Sequence, residues 1–263
     1  MSSSSYIQID NVTKRFPRSG KSPLTVIDGF SLEIDKGSLV SVLGPSGCGK
    51  STLLNLMNGL DDVSSGSIII NGHRIGRRQR SDVRIGVAFQ TPRLLNWRTV
   101  LDNVRIPLVI NGLSKKEAST RADRYLHLVG LSEFAGYFPL RLSGGMQQRV
   151  SLARGLALEP DLLLADEPFS ALDEMTANRL RRELIDMWRA TGRTILFVTH
   201  NIREAVFLST RVVIVTARPC RVRLDLPVGI NHPRDVSDNE FFEIEKHVTN
   251  QFKMMEEEMA MPA

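Results

Sequence analysis

At 263 residues the chain is long enough for one sizeable α/β core, or for such a core carrying a smaller lobe. Its 42% hydrophobic and 24% charged residues are ordinary for a soluble globular protein, and no apolar run approaches the roughly 18 residues of a membrane span, so any membrane crossing falls to other subunits. The net charge of +5 includes a basic stretch, Arg74, Arg77, Arg78, Arg80 and Arg84, which reads as a solvated loop and edge rather than a nucleic-acid surface.

In chain order, Met1 to Ser5 lacks the basic-then-apolar pattern of a secretory signal, so none is expected. Phe30, Leu32 and Ile34 alternate with polar neighbours, the period of a half-buried strand. Ser38 to Leu43 is a short apolar strand running straight into Gly44. A helix with Leu53, Leu54, Met57 and Leu60 on its apolar side follows. Ile68 to Ile70 form a strand ending at Asn71-Gly72, a hairpin signal.

From about Val100 to Ala157 the pattern is helical. Ser114 with Glu117 three residues on predicts a capping box, ahead of a face formed by Ala118, Ala122, Tyr125 and Val129. Beyond Pro160, strands (Leu162 to Ala165, Thr194 to Val198, Arg211 to Val215) alternate with helices (Met175 to Arg189, Arg203 to Leu208). Such alternation predicts a parallel sheet flanked by helices. A last amphipathic helix carries Phe241, Ile244, Val248, Phe252, Met255 and Met259, opening on a second possible capping box at Ser237 and Glu240.

The chemistry concentrates in Gly44, Pro45, Ser46, Gly47, Cys48, Gly49, Lys50, Ser51 and Thr52, which match the phosphate-loop pattern between a predicted strand and a predicted helix. Glycines let the backbone bend and bring N–H groups to phosphate oxygens. Lys50 adds a positive charge for the β- and γ-phosphates, Ser51 a hydroxyl for Mg²⁺, and the helix its positive end. Binding of ATP or GTP follows. Cys48 reads first as a small side chain tolerated in a loop that works through its backbone. A helix N-terminus lowers a thiol's pKa, so a redox role is the alternative. Two cysteines and five scattered histidines supply neither a disulfide framework nor zinc spacing.

Leu142-Ser-Gly-Gly-Met-Gln-Gln-Arg-Val150 places a serine cap and two glycines before an amphipathic helix, a second anion-receiving helix start. This segment resembles the signature of ATP-binding cassette proteins, and the other family elements stand in order over the chain to about residue 225. The resemblance implies an α/β fold: a phosphate-loop NTPase core with a mostly parallel sheet, an N-terminal antiparallel β-subdomain and an inserted α-helical subdomain. It divides the chain into a core (1–90 and 158–225), a helical lobe (91–157) and a C-terminal extension (226–263).

The resemblance also implies roles. Ser143, Gly144, Gly145 and Gln147 would close on the γ-phosphate of ATP held by an opposite subunit. Leu162 to Pro168 resembles the Walker B motif, with Asp166 holding magnesium through water and Glu167 the general base. Gln90 would sense magnesium and the attacking water, His200 would contact the γ-phosphate, Asp173 would sit in the loop crossing the dimer interface, and Phe16, ahead of Tyr6, would stack on adenine.

Phe89 to Val104, Thr199 to Ala205 and Ala217 to Arg221 look like the nitrate, sulfonate and taurine importer branch, with departures at Asn96, Asn201 and Cys220. Asn96 and Trp97 would lie near the groove that receives a permease. The implied protein is an ATPase working with ATP and Mg²⁺ as a dimer. Its partners would be integral-membrane permease subunits and, indirectly, a solute-binding protein, with no nucleic acid, at the cytoplasmic face of the cell (inner) membrane. An exporter subunit, a non-hydrolysing nucleotide switch and a cassette ATPase acting on DNA or ribosomes are the alternatives.

Overall fold

The structure, a computed structural model, describes residues 5–77 and 82–260; Arg78, Arg80 and the side chain of Met259 lie outside it. In chain order the strands and helices are β1 (Ile7–Arg18), β2 (Lys21–Ile34), β3 (Leu39–Leu43), α1 (Lys50–Met57), β4 (Ser65–Ile70), β5 (His73–Arg74), β6 (Ile85–Ala88), α2 (Val100–Ile110), α3 (Lys115–Leu128), α4 (Gly144–Ala157), β7 (Leu162–Asp166), α5 (Glu174–Thr191), β8 (Thr194–Thr199), α6 (Ile202–Leu208), β9 (Arg211–Val215), β10 (Val222–Pro227) and α7 (Asn239–Ala260). They form two compact units, one from the chain up to Val83 and from Thr194 onward, the other from Arg84 to Arg193.

The first unit holds an antiparallel sheet in the order β2-β1-β4-β5. It also holds a parallel arrangement in which β3 lies between β8 and β9, with Leu43 opposite both Thr199 and Ile214. Every residue of β3 and β8 is buried. That is why these strands read as mostly apolar runs, with only Ser41 and the terminal Thr194 and Thr199 polar, rather than as an alternation: both faces are covered. β10 pairs antiparallel with β9 and alternates half-buried with exposed residues, a solvated edge that the apolar pattern does not announce.

The second unit sets β6 parallel to β7, Ala88 opposite Ala165, and packs α2, α3 and α4 together. The Ser114–Glu117 capping box forms in both directions, as predicted.

Two sequence expectations fail. Leu60 lies beyond the end of α1 and is 49% exposed, because the helix stops at Met57 and Asn58 caps it. The Ser237–Glu240 capping box does not form: the Ser237 hydroxyl donates to Asp235, in a turn before α7 begins at Asn239.

The segment between β10 and α7 is tied to α6 by a buried arginine. Arg234 donates to the carbonyls of Ile230, Val206, Phe207 and Ser209, the last three at the C-terminal end of α6. A cation there meets both the unpaired carbonyls and the negative end of the helix. Burial lowers its pKa to about 10, which still leaves it charged at neutral pH. Arg234→Ala should lower unfolding free energy by about 3 kcal/mol through stranded carbonyls, with Arg234→Lys recovering part of it. Urea denaturation measures this, and an unchanged midpoint would count against the brace.

Candidate functional site

In the first unit, β3 delivers the chain into the phosphate loop. The Gly44 N–H donates to the Thr199 carbonyl (3.3 Å), which fixes the loop's entry beside the end of β8. Gly47 and Gly49 hold φ of 74° and 127°, conformations L side chains rarely adopt. A Cβ at Gly44 would stand 2.5 Å from Val215 Cγ2. The Lys50 ammonium turns back into the loop, donating to the carbonyls of Gly44 (2.7 Å) and Pro45 (2.9 Å). Helix α1 starts from Gly49 without a side-chain cap, so its first N–H groups face the loop without a capping oxygen. These are the features a polyphosphate needs: bare backbone donors, a fixed cation and a helix dipole. Ser46 and Ser51 are exposed, Pro45 and Thr52 half-buried, and Cys48 is buried.

His200, exposed, follows Thr199 and so lies next to the loop's entry. Its backbone is held by neighbours: Asn201 caps α6 at the Glu204 N–H, and the Thr199 hydroxyl donates to the buried Glu204 carboxylate. Asn201, a departure from the importer branch, serves here as a helix cap.

Phe16 is half-exposed on β1, with the Lys14 ammonium 4.8 Å from its ring centroid. Lys14 is anchored by Asp61 at 2.8 Å, so one face of the ring is covered by a fixed cation. Tyr6 is 6% exposed and has no face to offer a base.

In the second unit, Gln90 and Glu167 follow the carboxyl ends of the neighbouring strands β6 and β7. The Gln90 amide donates to the Glu167 carboxylate at 3.4 Å. Glu167 is a non-glycine residue at φ 46°, held by Ser170, whose N–H and hydroxyl both donate to its carbonyl. Such a conformation costs on the order of 1–3 kcal/mol and collects at working sites. Asp166 closes β7 and is buried.

Ser143 caps α4, accepting from the Met146 N–H (3.3 Å). Gly144 has open space around it, whereas a Cβ on Gly145 would come within 3.0 Å of the Ala171 carbonyl. Gln147 is committed to the carbonyls of Pro139 and Leu142. Asp173 caps α5 through the Thr176 N–H, a bond that holds its carboxyl below the usual range.

Sequence reasoning missed two residues of this unit. The Gln148 amide donates to the Phe89 carbonyl (3.0 Å), and Arg154 donates to the carbonyls of Pro92 and Arg93 (2.8 and 2.9 Å). Together they brace the Gln90 segment against α4. Arg154 leaves one signal, a cation set among Val150, Ala153 and Ala157 on an apolar helix face.

The family profile described as "ABC transporter" matches residues 27–170. An uncharacterized ABC transporter ATP-binding protein of Methanocaldococcus jannaschii is 41% identical over 94% of this chain and 91% of its own length. An aliphatic sulfonates import ATP-binding protein of Bacillus cereus is 38% identical over 94% and 96% of the two chains. A taurine import ATP-binding protein of Pseudomonas aeruginosa is 44% identical over 77% and 76%. Among solved structures, an ATP-binding cassette in a dimeric post-hydrolysis state with ADP and Pi is 32% identical, with a TM-score of 0.78, over 86% of this chain and all of its own.

Helix α4 reaches β6 through two glycines. A Cβ on Gly86 would lie 2.7 Å from the Gly155 carbonyl, and one on Gly155 3.2 Å from that of Val87. Gly86→Ala should therefore cost about 1–3 kcal/mol by overpacking and displace the Gln90 segment. Thermal denaturation with steady-state turnover checks both, and a variant of parental stability and rate would remove the packing argument.

Proposed function

The chain belongs to the ABC transporter family, and on that premise we propose that it is the ATP-hydrolysing subunit of an importer for a small organic anion of the aliphatic sulfonate or taurine class. The observation that carries the reading is the phosphate loop, with Lys50 held on two of its own carbonyls and an uncapped helix start behind it. The import direction and solute class rest on the sulfonate and taurine import proteins that this chain is similar to over most of its length.

Among the described residues no helix is long and apolar enough to cross a membrane. The likeness to import ATP-binding proteins supports translocation by separate permease subunits, with this chain at the cytoplasmic face of the membrane. Residues 91–157 are the lobe that meets the permease, with Trp97, 72% exposed, near the contact. Residues 1–90 and 158–225 are the nucleotide-binding core, and 226–263 a C-terminal extension carrying α7.

The donors assigned to the ion fit magnesium. The Ser51 hydroxyl, the Asp166 carboxylate and the Gln90 amide are all oxygen ligands. No cluster of three or more His, Cys, Asp or Glu that could hold a metal stands among the described residues. When bound, magnesium neutralises charge on the transferring phosphate.

The residues of this chain do the remainder. Within Gly44 to Thr52 the N–H groups from Gly47 to Thr52 hold the phosphates, and Phe16 stacks on adenine. Glu167 accepts a proton from the water that attacks the γ-phosphorus, Gln90 orients that water, and His200 donates to a γ-phosphate oxygen as ADP departs. Ser143, Gly144 and Gly145 of a second copy close on the same phosphate, with Gln147 bracing that helix start through Pro139 and Leu142 and Asp173 at the seam.

Glu167→Gln should retain ATP affinity and accumulate an ATP-bound dimer while turnover falls about 10²–10⁴-fold. Calorimetry, size-exclusion chromatography and phosphate release read the three, and near-normal hydrolysis would overturn the base assignment. Lys50→Ala should abolish measurable ATP binding in calorimetry.

A further inference from the structure

The phosphate loop has a neighbour that hydrolysis does not use. The chain's only two cysteines, Cys48 and Cys220, are far apart in sequence yet meet in the first unit. Both are free thiols, 1% and 0% exposed, and they lie close enough for each to shift the other's titration. Cys48 is in the phosphate loop and Cys220 in the turn between β9 and β10.

That turn is fastened to its surroundings on both sides. Arg218 donates to the Gly47 carbonyl (2.8 Å). The Cys220 N–H donates to the Val26 carbonyl (2.8 Å), and its carbonyl accepts from Asp28 (3.2 Å). Gly49 marks how near the two segments lie: a Cβ there would be 3.2 Å from Cys220 Cβ. A buried cysteine usually behaves as a small apolar side chain. Two neighbouring thiols at a phosphate loop, one of them close to an ammonium, have chemistry beyond that.

The thiols are unequal. The hydrogen bond from Cys220 lowers the Cys48 pKa against its burial, helped by the Lys50 charge, while Cys220 is pushed up. Cys48 is then the nucleophilic sulfur and Cys220 the resolving one.

We propose that Cys48 and Cys220 are a reversible oxidation site, closed to a disulfide by a peroxide, which switches off nucleotide binding at the phosphate loop. This rests on the loop being the ATP site. The Cys48 thiolate attacks the peroxide O–O bond, giving a sulfenic acid and an alkoxide or hydroxide that takes up a proton. The Cys220 sulfur then attacks the sulfenic sulfur, the S–S bond forms, and the displaced hydroxide leaves as water with the Cys220 proton. Two thiols are oxidised and one peroxide reduced, and a dithiol reverses the change. A covalent S–S bond of about 2.05 Å is shorter than any hydrogen-bonded sulfur pair, so closure draws Cys48 toward the turn. The N–H groups of Gly47 to Lys50 move with it, away from the positions a phosphate requires.

The test uses the full chain, reduced with dithiothreitol or treated with a low dose of hydrogen peroxide, with ATP affinity read by calorimetry and the linkage by peptide mass mapping. The expected result is a linked Cys48–Cys220 peptide, ATP affinity at least tenfold weaker, and recovery with dithiothreitol. Reduced Cys220→Ser should bind ATP as the parent does and keep that affinity at the same dose. Absence of the linked peptide from the parent chain, a linked chain of unchanged affinity, or equal loss in Cys220→Ser would each overturn the proposal. Should Cys220→Ser not fold, linkage and reversal in the parent chain decide alone. A reduced parent that binds no ATP would count against the ATP site itself, and the peptide map would still decide whether the sulfurs join.

Discussion

The nucleotide chemistry of this chain depends on a stretch of backbone that must stay bare. Between Leu43 and Lys50 the chain leaves a fully buried strand and enters a helix while offering N–H groups to an anion, and side chains would obstruct both tasks. At Gly44 the obstacle is Val215 at the end of the neighbouring strand β9; at Gly49 it is Val26 and Cys220. The burial of β3 between β8 and β9 is therefore tied to the glycine spacing. A strand covered on both faces must end abruptly, and its exit has room only for backbone.

The second unit carries a comparable constraint in another form. Helix α4 begins at the serine cap of the signature, and its middle holds the carbonyls of Phe89, Pro92 and Arg93 through Gln148 and Arg154. The signature start and the Gln90 segment are thus joined through one helix. Close approach at Gly86 and Gly155 removes slack between that helix and β6. Any shift of α4 carries Gln90 with it, and Gln90 is hydrogen-bonded to Glu167.

What the sequence made legible, and what it hid, follows from which physics leaves a trace in residue types. β3, β7, β8 and β9 were readable because burial on both faces demands continuous apolar runs, and the Ser114 cap because its partner sits at a fixed spacing. β10 hid because a solvated edge alternates only weakly, and β6 because Gly86 interrupts an already short strand. The segments 44–52, 142–150 and 162–168 could be placed at their strand ends and helix starts because glycines, a serine cap and a closing carboxylate pair mark those junctions in residue types. The Gln148 and Arg154 braces could not, since their acceptors are backbone carbonyls and every residue has one. The same reason concealed Arg234, and Cys220 became a partner for Cys48 only once β10 had been placed.

Glu167 is where backbone and chemistry disagree. Its left-handed conformation suits glycine or asparagine far better than glutamate, yet the carboxylate is what the strand end presents. A glycine there would relax the turn and, under the base assignment proposed for Glu167, leave the molecule without its proton acceptor. Selection for robustness alone would thus drift away from glutamate, and on that assignment stabilised variants gathered without an activity screen should be enriched in inactive ones at this position.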